Sequence, residues 1–326
     1  MMRFSELCLV VFTCSLSLGA CNSDAPSESP LSDPRGLILL GTVAFPAELW
    51  VMRPDGSGLR RLTNDSINDL GGNWSPDGQS IVFTRWQDSA GGPSDYRSDV
   101  FVMNADGSGM RRLYFAEGWA SGPRWSPDGR TIAFAQGNRM LDYYVDTSTH
   151  VYMMNSDGSG VHFVAPHGES FAPDWAPDGT RLLFLARRPP ERPALSIYTI
   201  RPDGTDERLV GGDSACVRDV HDASWSPDGT RIVYRCSDAP DYIIKVIHAD
   251  GTSPVQLSFV DMEHQYGMFD LSPVWSPDGA QIAFGSTRTT SLTAPWIMDT
   301  TGANSSPIGG QEMRGFIPVD WGAVPR

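Results

Sequence analysis

The chain of 326 residues is 40% apolar and 20% charged, with 33 Gly and 25 Pro, a composition that suits an exported soluble body. Its formal charge of −14, from 25 basic and 39 acidic side chains, repels phosphate. That excludes nucleic acid as a partner, whereas a basic protein, a peptide amine or a divalent cation would be attracted.

Residues 1–20 carry Arg3 and then an apolar run from Leu7 to Leu18, short for a bilayer span and of the right length for a signal peptide. The run closes in Leu18-Gly19-Ala20-Cys21. This resembles a bacterial lipobox, and the resemblance implies cleavage before Cys21, lipidation of its thiol and anchoring in the cell envelope. The next residue is Asn22 and not Asp, which by the sorting rule of some Gram-negative bacteria implies the outer membrane. Residues 21–35 are rich in Ser, Pro and Asp and cannot bury a core, so they read as a flexible tether from the lipidated Cys.

From residue 36 to residue 326 the chain is a repeat. Trp74-Ser75-Pro76-Asp77-Gly78 returns at Trp125, Trp175, Trp225 and Trp275, at intervals of 51, 50, 50 and 50 residues, with Ala176 replacing Ser in the third copy. An alternating apolar run follows each copy, as in Ile81-Val82-Phe83, and reads as a strand. Between the Trp motifs a second mark recurs, an apolar run closed by Asp-Gly at 55–56, 106–107, 157–158, 203–204 and 250–251, and by Thr301-Gly302 in the last copy, which has lost its Asp. Each repeat therefore holds four short strands and two tight turns. Pro presets the first turn position, Asp caps the backbone with its carboxylate, and Gly takes the positive φ that closes a hairpin. The turn aspartates read as turn formers, and the recurrent Trp as packing between neighbouring sheets.

Four-stranded antiparallel units repeated about an axis make an all-β propeller, here of six blades. The Asp-Gly mark occurs six times and the Trp motif five, because the first Trp strand is missing at the start. Phe316-Ile317-Pro318-Val319-Asp320-Trp321 supplies it and pairs with the N-terminal blade, closing the ring and removing open sheet edges. The Trp-Ser-Pro-Asp-Gly-x-x-Ile-x-Phe run with its Asp-Gly partner resembles the TolB-like propeller repeat, of PD40 type, over about Gly36 to Val324. Propellers of that kind serve as protein-interaction platforms, as accessory domains of serine peptidases and occasionally as lyases. TolB itself has an α/β domain before its propeller, so the short linker here implies a propeller standing alone, as a monomer.

Strand direction puts all the tight turns on one face and the long, irregular connections on the other, where a rigid scaffold places function. Among these connections Asp69, Trp86, Arg97, Trp119, Arg139, Phe171, Arg188, Asp222 and Tyr266 form a mixture of aromatic, basic and acidic groups suited to a protein or peptide surface. Three successive inter-blade loops each carry a histidine, His167, His221 and His264, with carboxylates nearby, a set that could hold a divalent metal. Oligogalacturonate lyases, similar in kind but seven-bladed, hold a metal through His and Gln near the axis. Cys216 and Cys236 lie at one rim and are candidates for a disulfide. The chain has no Gly-x-Ser-x-Gly elbow, no His-Glu-x-x-His and no phosphate-binding Gly loop. The expectation is an envelope-anchored, non-catalytic binding module whose loop face engages a protein, a peptide or an envelope polymer; a metal-dependent polysaccharide lyase using the loop histidines, or a purely structural component, are the alternatives.

Overall fold

The computed structural model describes residues 36–87, 97–137, 149–165, 169–188, 192–211, 216, 218–238, 241–258, 269–288 and 292–322. Cys21, Arg139, His167, His264 and Tyr266 lie outside these residues. Strands β1 (Ile38–Thr42), β2 (Leu49–Met52) and β3 (Arg60–Arg61) open the chain. Blade 2 is β4 (Asp69–Trp74), β5 (Ser80–Gln87), β6 (Arg97–Asn104) and β7 (Arg111–Tyr114). Blade 3 is β8 (Trp119–Trp125), β9 (Thr131–Gly137), β10 (His150–Asn155) and β11 (His162–Phe163). Blade 4 is β12 (Ser170–Trp175), β13 (Leu182–Arg188), β14 (Arg192–Ile200) and β15 (Arg208–Val210). Blade 5 is β16 (Val220–Trp225), β17 (Arg231–Asp238), β18 (Asp241–His248) and β19 (Val255–Gln256). Blade 6 is β20 (Asp270–Trp275), β21 (Gln281–Ser286), β22 (Ala294–Asp299) and β23 (Ser306–Pro307).

The last strand, β24 (Phe316–Trp321), returns to pair antiparallel with β1, from Ile38 opposite Trp321 to Thr42 opposite Phe316. Blade 1 is thus β24-β1-β2-β3, built from both ends of the propeller sequence. Every blade is antiparallel, and in blades 2 to 6 the strands follow sequence order; blades 2 and 3 are also joined by a parallel pairing of Ser98 with Trp119, and blades 5 and 6 by one of Tyr242 with Phe269. The first strands β24, β4, β8, β12, β16 and β20 pack each against the next, and β20 packs against β24, so six blades surround one axis.

The cores lie between blades. Trp175 packs with Ala133 and Val151 of blade 3, Trp275 with Val233 and Ile244 of blade 5, and Trp321 with Ala283 and Ile308 of blade 6. A buried aromatic of this kind stabilises by roughly 1.5–3 kcal/mol relative to exposure. The blade 6 to blade 1 core is what the shared N- and C-terminal sheet holds shut.

The same seam explains one glycine. Gly56, at φ +85, approaches blade 6 so closely that a Cβ would sit 2.8 Å from the backbone nitrogen of Gly309. The Asp-Gly turn therefore needs glycine for contact with the neighbouring blade as well as for its φ.

The first strands of blades 2 to 6 share a bulge two residues before the residue that precedes the Trp, at Gly71, Gly122, Ala172, Asp222 and Ser272, each left-handed with φ between 47° and 64°. Beyond the bulge, the residue before each Trp is half-buried on the inner strand: Asn73, Arg124, Asp174, Ser224, Val274 and, in blade 1, Asp320.

Candidate binding face

On the turn face the carboxylates serve their own turns. Ser75 Oγ donates to Asp77 Oδ1 at 2.6 Å, the Gln79 amide donates to the same oxygen at 3.0 Å, and the Ser80 amide donates to Ser75 Oγ at 2.9 Å. Asp128, Asp228 and Asp278 repeat the pattern with Ser126, Ser226 and Ser276. Where Ala176 removes the hydroxyl, Thr180 Oγ1 donates to Asp178 instead, at 2.8 Å. In the second series Asp55, Asp106, Asp157, Asp203 and Asp250 each accept the amide two residues on. In the last turn Asp299, two residues before Thr301, takes over that role at 2.9 Å. Hydroxyl and amide donors hold the carboxyls of Asp77, Asp128, Asp157 and Asp203 below the usual carboxylate range. These groups are engaged by the backbone, as turn chemistry requires.

The loop face is built differently. Asp69 opens β4, is buried, and receives Arg85 on both oxygens at 2.6 and 2.8 Å, with Asp65 bridging the same guanidinium at 2.8 Å. Burial pushes the Asp69 carboxyl up and Arg85 offsets part of that shift. Arg97 lies 3.4 Å over the Phe115 ring and 3.6 Å from the buried Asp99, which also receives Arg112 at 3.1 Å. Arg188 donates to both oxygens of Glu207 at 3.1 and 3.2 Å and to the Glu169 carbonyl at 3.1 Å. Asp69, Arg97 and Arg188 are thus held in ion pairs within and between strands.

Trp119 is half-buried against Gly137, where a Cβ would come 2.6 Å from the indole Nε1. Phe171 packs on the core between blades 4 and 5. Asp222 forms an ion pair with Arg235, its Oδ2 lying 2.8 Å from Nε, and accepts the Ser272 amide of the next blade at 3.2 Å. Trp86 stands 5.9 Å from Phe45. The structure brings Trp86 to Phe45, Arg97 to Phe115, and Asp222 to His221 and Arg235, as three neighbourhoods.

His221, half-buried on β16, sits below its ordinary pKa, first because of burial and then because of Arg235. Among the described residues no group of three or more His, Cys, Asp or Glu is placed to hold a metal ion. Cys216 and Cys236 are joined by a disulfide, their Cα atoms 5.6 Å apart, both buried in the core between blades 4 and 5.

Four exposed apolar side chains stand beside the residues expected from the sequence. Phe45 is 68% exposed and Val43 41% in the β1–β2 connection, Phe115 50% after β7, and Leu292 51% before β22. All four lie on the loop face. Among the described residues the other exposed large apolar side chains, Phe163, Leu209 and Val255, stand on the outermost strands, and none is in a tight turn. On the turn face a cleft of about 650 Å³ opens between blades 4 and 5, walled by Pro177, Leu209, Trp225 and Pro227. Arg181 and Arg208 at its rim are both paired with Asp206 at 2.8 Å.

The sequence matches the family described as TolB beta propeller domain, PD40, over residues 19–209 and 95–268. It is 32% identical over 111 residues to the Tol-Pal system protein TolB of Gluconobacter oxydans, covering 34% of this chain and 24% of that protein. The aligned stretches span less than half the length of the curated relatives first matched. TolB from Acinetobacter baumannii superposes with a TM-score of 0.70 at 18% identity, covering 89% of this chain and 67% of the other. An oligogalacturonate lyase in complex with manganese superposes at 0.57 and 16% identity, covering 84% and 75%, a likeness of fold.

Proposed function

Because this chain belongs to the TolB β-propeller domain family, we propose that it is an exported, envelope-anchored binding module whose loop face docks a protein partner. The observation that carries this reading is the distribution of exposed apolar side chains. Phe45, Val43, Phe115 and Leu292 lie on the loop face, while among the described residues the tight turns carry no exposed large apolar side chain and their carboxylates are hydrogen-bonded within the turns. Exposed aromatic groups beside arginine are the usual energetic centre of a protein interface.

Chain direction agrees with a tethered module. β24 ends and β1 begins at the turn face, where the Gly36 amide donates to the Gly322 carbonyl at 3.2 Å. The propeller thus begins on the face opposite the one assigned to a partner. The test is site-specific photo-cross-linking in envelope preparations from the native host, with the probe at position 45 or 292 on the loop face and at 128 on the turn face. The expected result is one discrete protein adduct from 45 and 292 and none from 128. Adducts from 128 alone, or none from either loop position, would overturn the reading.

A further inference from the structure

We propose that the axial cluster of Asn73, Arg124, Asp174 and Asp320 is a proton-responsive latch between blades, in which two carboxylates share one guanidinium and the ring is held more tightly once the surplus charge is lost. Three of the four groups perform one structural task. Asp320 Oδ2 accepts the Trp74 amide at 2.7 Å, Asn73 Oδ1 the Trp125 amide at 2.7 Å, and Asp174 Oδ2 the Trp225 amide at 2.8 Å, each on the next blade. The neutral Asn73 does this as well as the carboxylates do. Charge at 174 and 320 is therefore not needed for the latch, and what it adds is titration.

The charges at the axis do not balance. Asn73 Nδ2 donates to Asp320 Oδ2 at 2.9 Å, and Arg124 Nε stands 3.9 Å from Asp174 Oδ1 while acting electrostatically on both acids. The remaining inner-strand positions, Ser224 and Val274, are uncharged. Two carboxylates thus share one guanidinium, and the ionised cluster carries one uncompensated negative charge.

Other ionisable groups on the packed strands are remote or occupied. On the strands against β12, β9 has none, while His150 of β10, Arg187 and Arg188 of β13 and His221 of β16 lie at the loop-face ends; Asp222 is paired with Arg235. Against β24, β1 and β21 have none, Asp69 of β4 and Asp270 of β20 are paired with Arg85 and Arg288, and Asp299 of β22 serves its turn. Among the described residues of these strands, Arg124 alone offsets the two acids.

Burial raises both carboxyls, and Asp174 is pushed up to about 6, with Asp320 adding repulsion. A folded pKa above the unfolded one means that the folded state binds the proton first. Stability from this group therefore grows as pH falls from above 6 towards the unfolded value near 4. Protonated Asp174 keeps a carbonyl oxygen for the Trp225 amide, so the latch survives while the charge is lost.

The test compares urea unfolding of the full chain and of Asp174→Asn at about pH 5 and pH 7.5. The native chain is expected to unfold at higher urea at the lower pH, and the variant to lose that difference while matching or exceeding the native chain at the higher pH. A variant that keeps the full difference overturns the proposal. Should the variant not fold, carbon-detected NMR titration of the Asp174 carboxyl decides, and a midpoint in the ordinary range near 4 overturns it.

Discussion

Asp69 and Arg85 meet through both carboxylate oxygens, Nε to Oδ1 at 2.6 Å and Nη2 to Oδ2 at 2.8 Å, with side-chain exposures of 0% and 10%. A buried carboxylate with a two-pronged partner is a structural tie between β4 and β5. Removing Arg85 leaves Asp69 buried and unpaired, which costs about 3–5 kcal/mol, whereas a change at Asp69 leaves Arg85 its second carboxylate, Asp65. Arg85→Ala is expected to lower the urea midpoint accordingly, and the double change of Asp69 and Arg85 to Leu to recover much of the loss. A single change that leaves the midpoint where it was would show that the pair does not hold these strands.

The bond between Cys216 and Cys236 closes a loop with a sequence separation of 20 residues. Constraining a loop of this length removes unfolded-state entropy worth about 3 kcal/mol. Calorimetry with and without reductant is expected to show a lower melting temperature on reduction, and Cys236→Ser to behave like the reduced protein. Equal melting temperatures for all three would mean that the bond does not form in solution.

Much of the fold was legible because each blade repeats its punctuation. The Trp motifs name the inner strands, the Asp-Gly turns name the outer hairpins, and the closing strand announces itself by Asp320-Trp321 without a following turn. The loop face was less legible, because its chemistry depends on pairs distant in sequence. Nothing local shows that Arg188 is met by Glu207, or that Arg97 shares Asp99 with Arg112. The bulge shared by the inner strands of blades 2 to 6 was hidden too, since Ala172, Asp222 and Ser272 occupy a left-handed position that glycine marks only at 71 and 122. Exposure was the other blind spot: Phe45 and Phe115 look like any core aromatic until the strands on either side are placed.

The turn carboxylates predict the acid limb of stability. Asp77, Asp128 and Asp278 are held below their ordinary range, first by hydrogen bonds from Ser75, Ser126 and Ser276. With folded pKa values below the unfolded ones, their contribution is complete above about pH 4 and is lost as pH falls through the folded values. The melting temperature is expected to fall steeply below about pH 4, and Asp128→Asn to flatten part of that fall. An acid limb of the same steepness in the variant would remove Asp128 from the account.

His221 predicts the response to a chelator. Its ring is half-buried and lies near Arg235 and Arg187, whose positive charges oppose a bound cation, and near Asp222 and Asp219, whose carboxylates are taken up by those same two arginines. Thermal unfolding before and after EDTA is expected to coincide, in the native chain and in His221→Ala alike. A shift with EDTA that is absent in His221→Ala would assign a metal to this rim and send the work to polysaccharide assays.

Phe45 and Phe115 separate binding from folding. Phe45 is 68% exposed and Phe115 50%, so replacing either with Ser removes little buried area, and the melting temperature should move by only a few degrees for Phe45→Ser. Phe115 also carries the Arg97 guanidinium at 3.4 Å, so Phe115→Ser is expected to free that side chain and to lose more stability than Phe45→Ser. If the loop face docks a protein with Phe45 as a central anchor, Phe45→Ser weakens the photo-cross-link from position 292 while the fold persists, because truncating such an anchor costs about 2 kcal/mol or more of binding. An adduct of undiminished yield from a well-folded Phe45→Ser chain would move the interface away from blade 1.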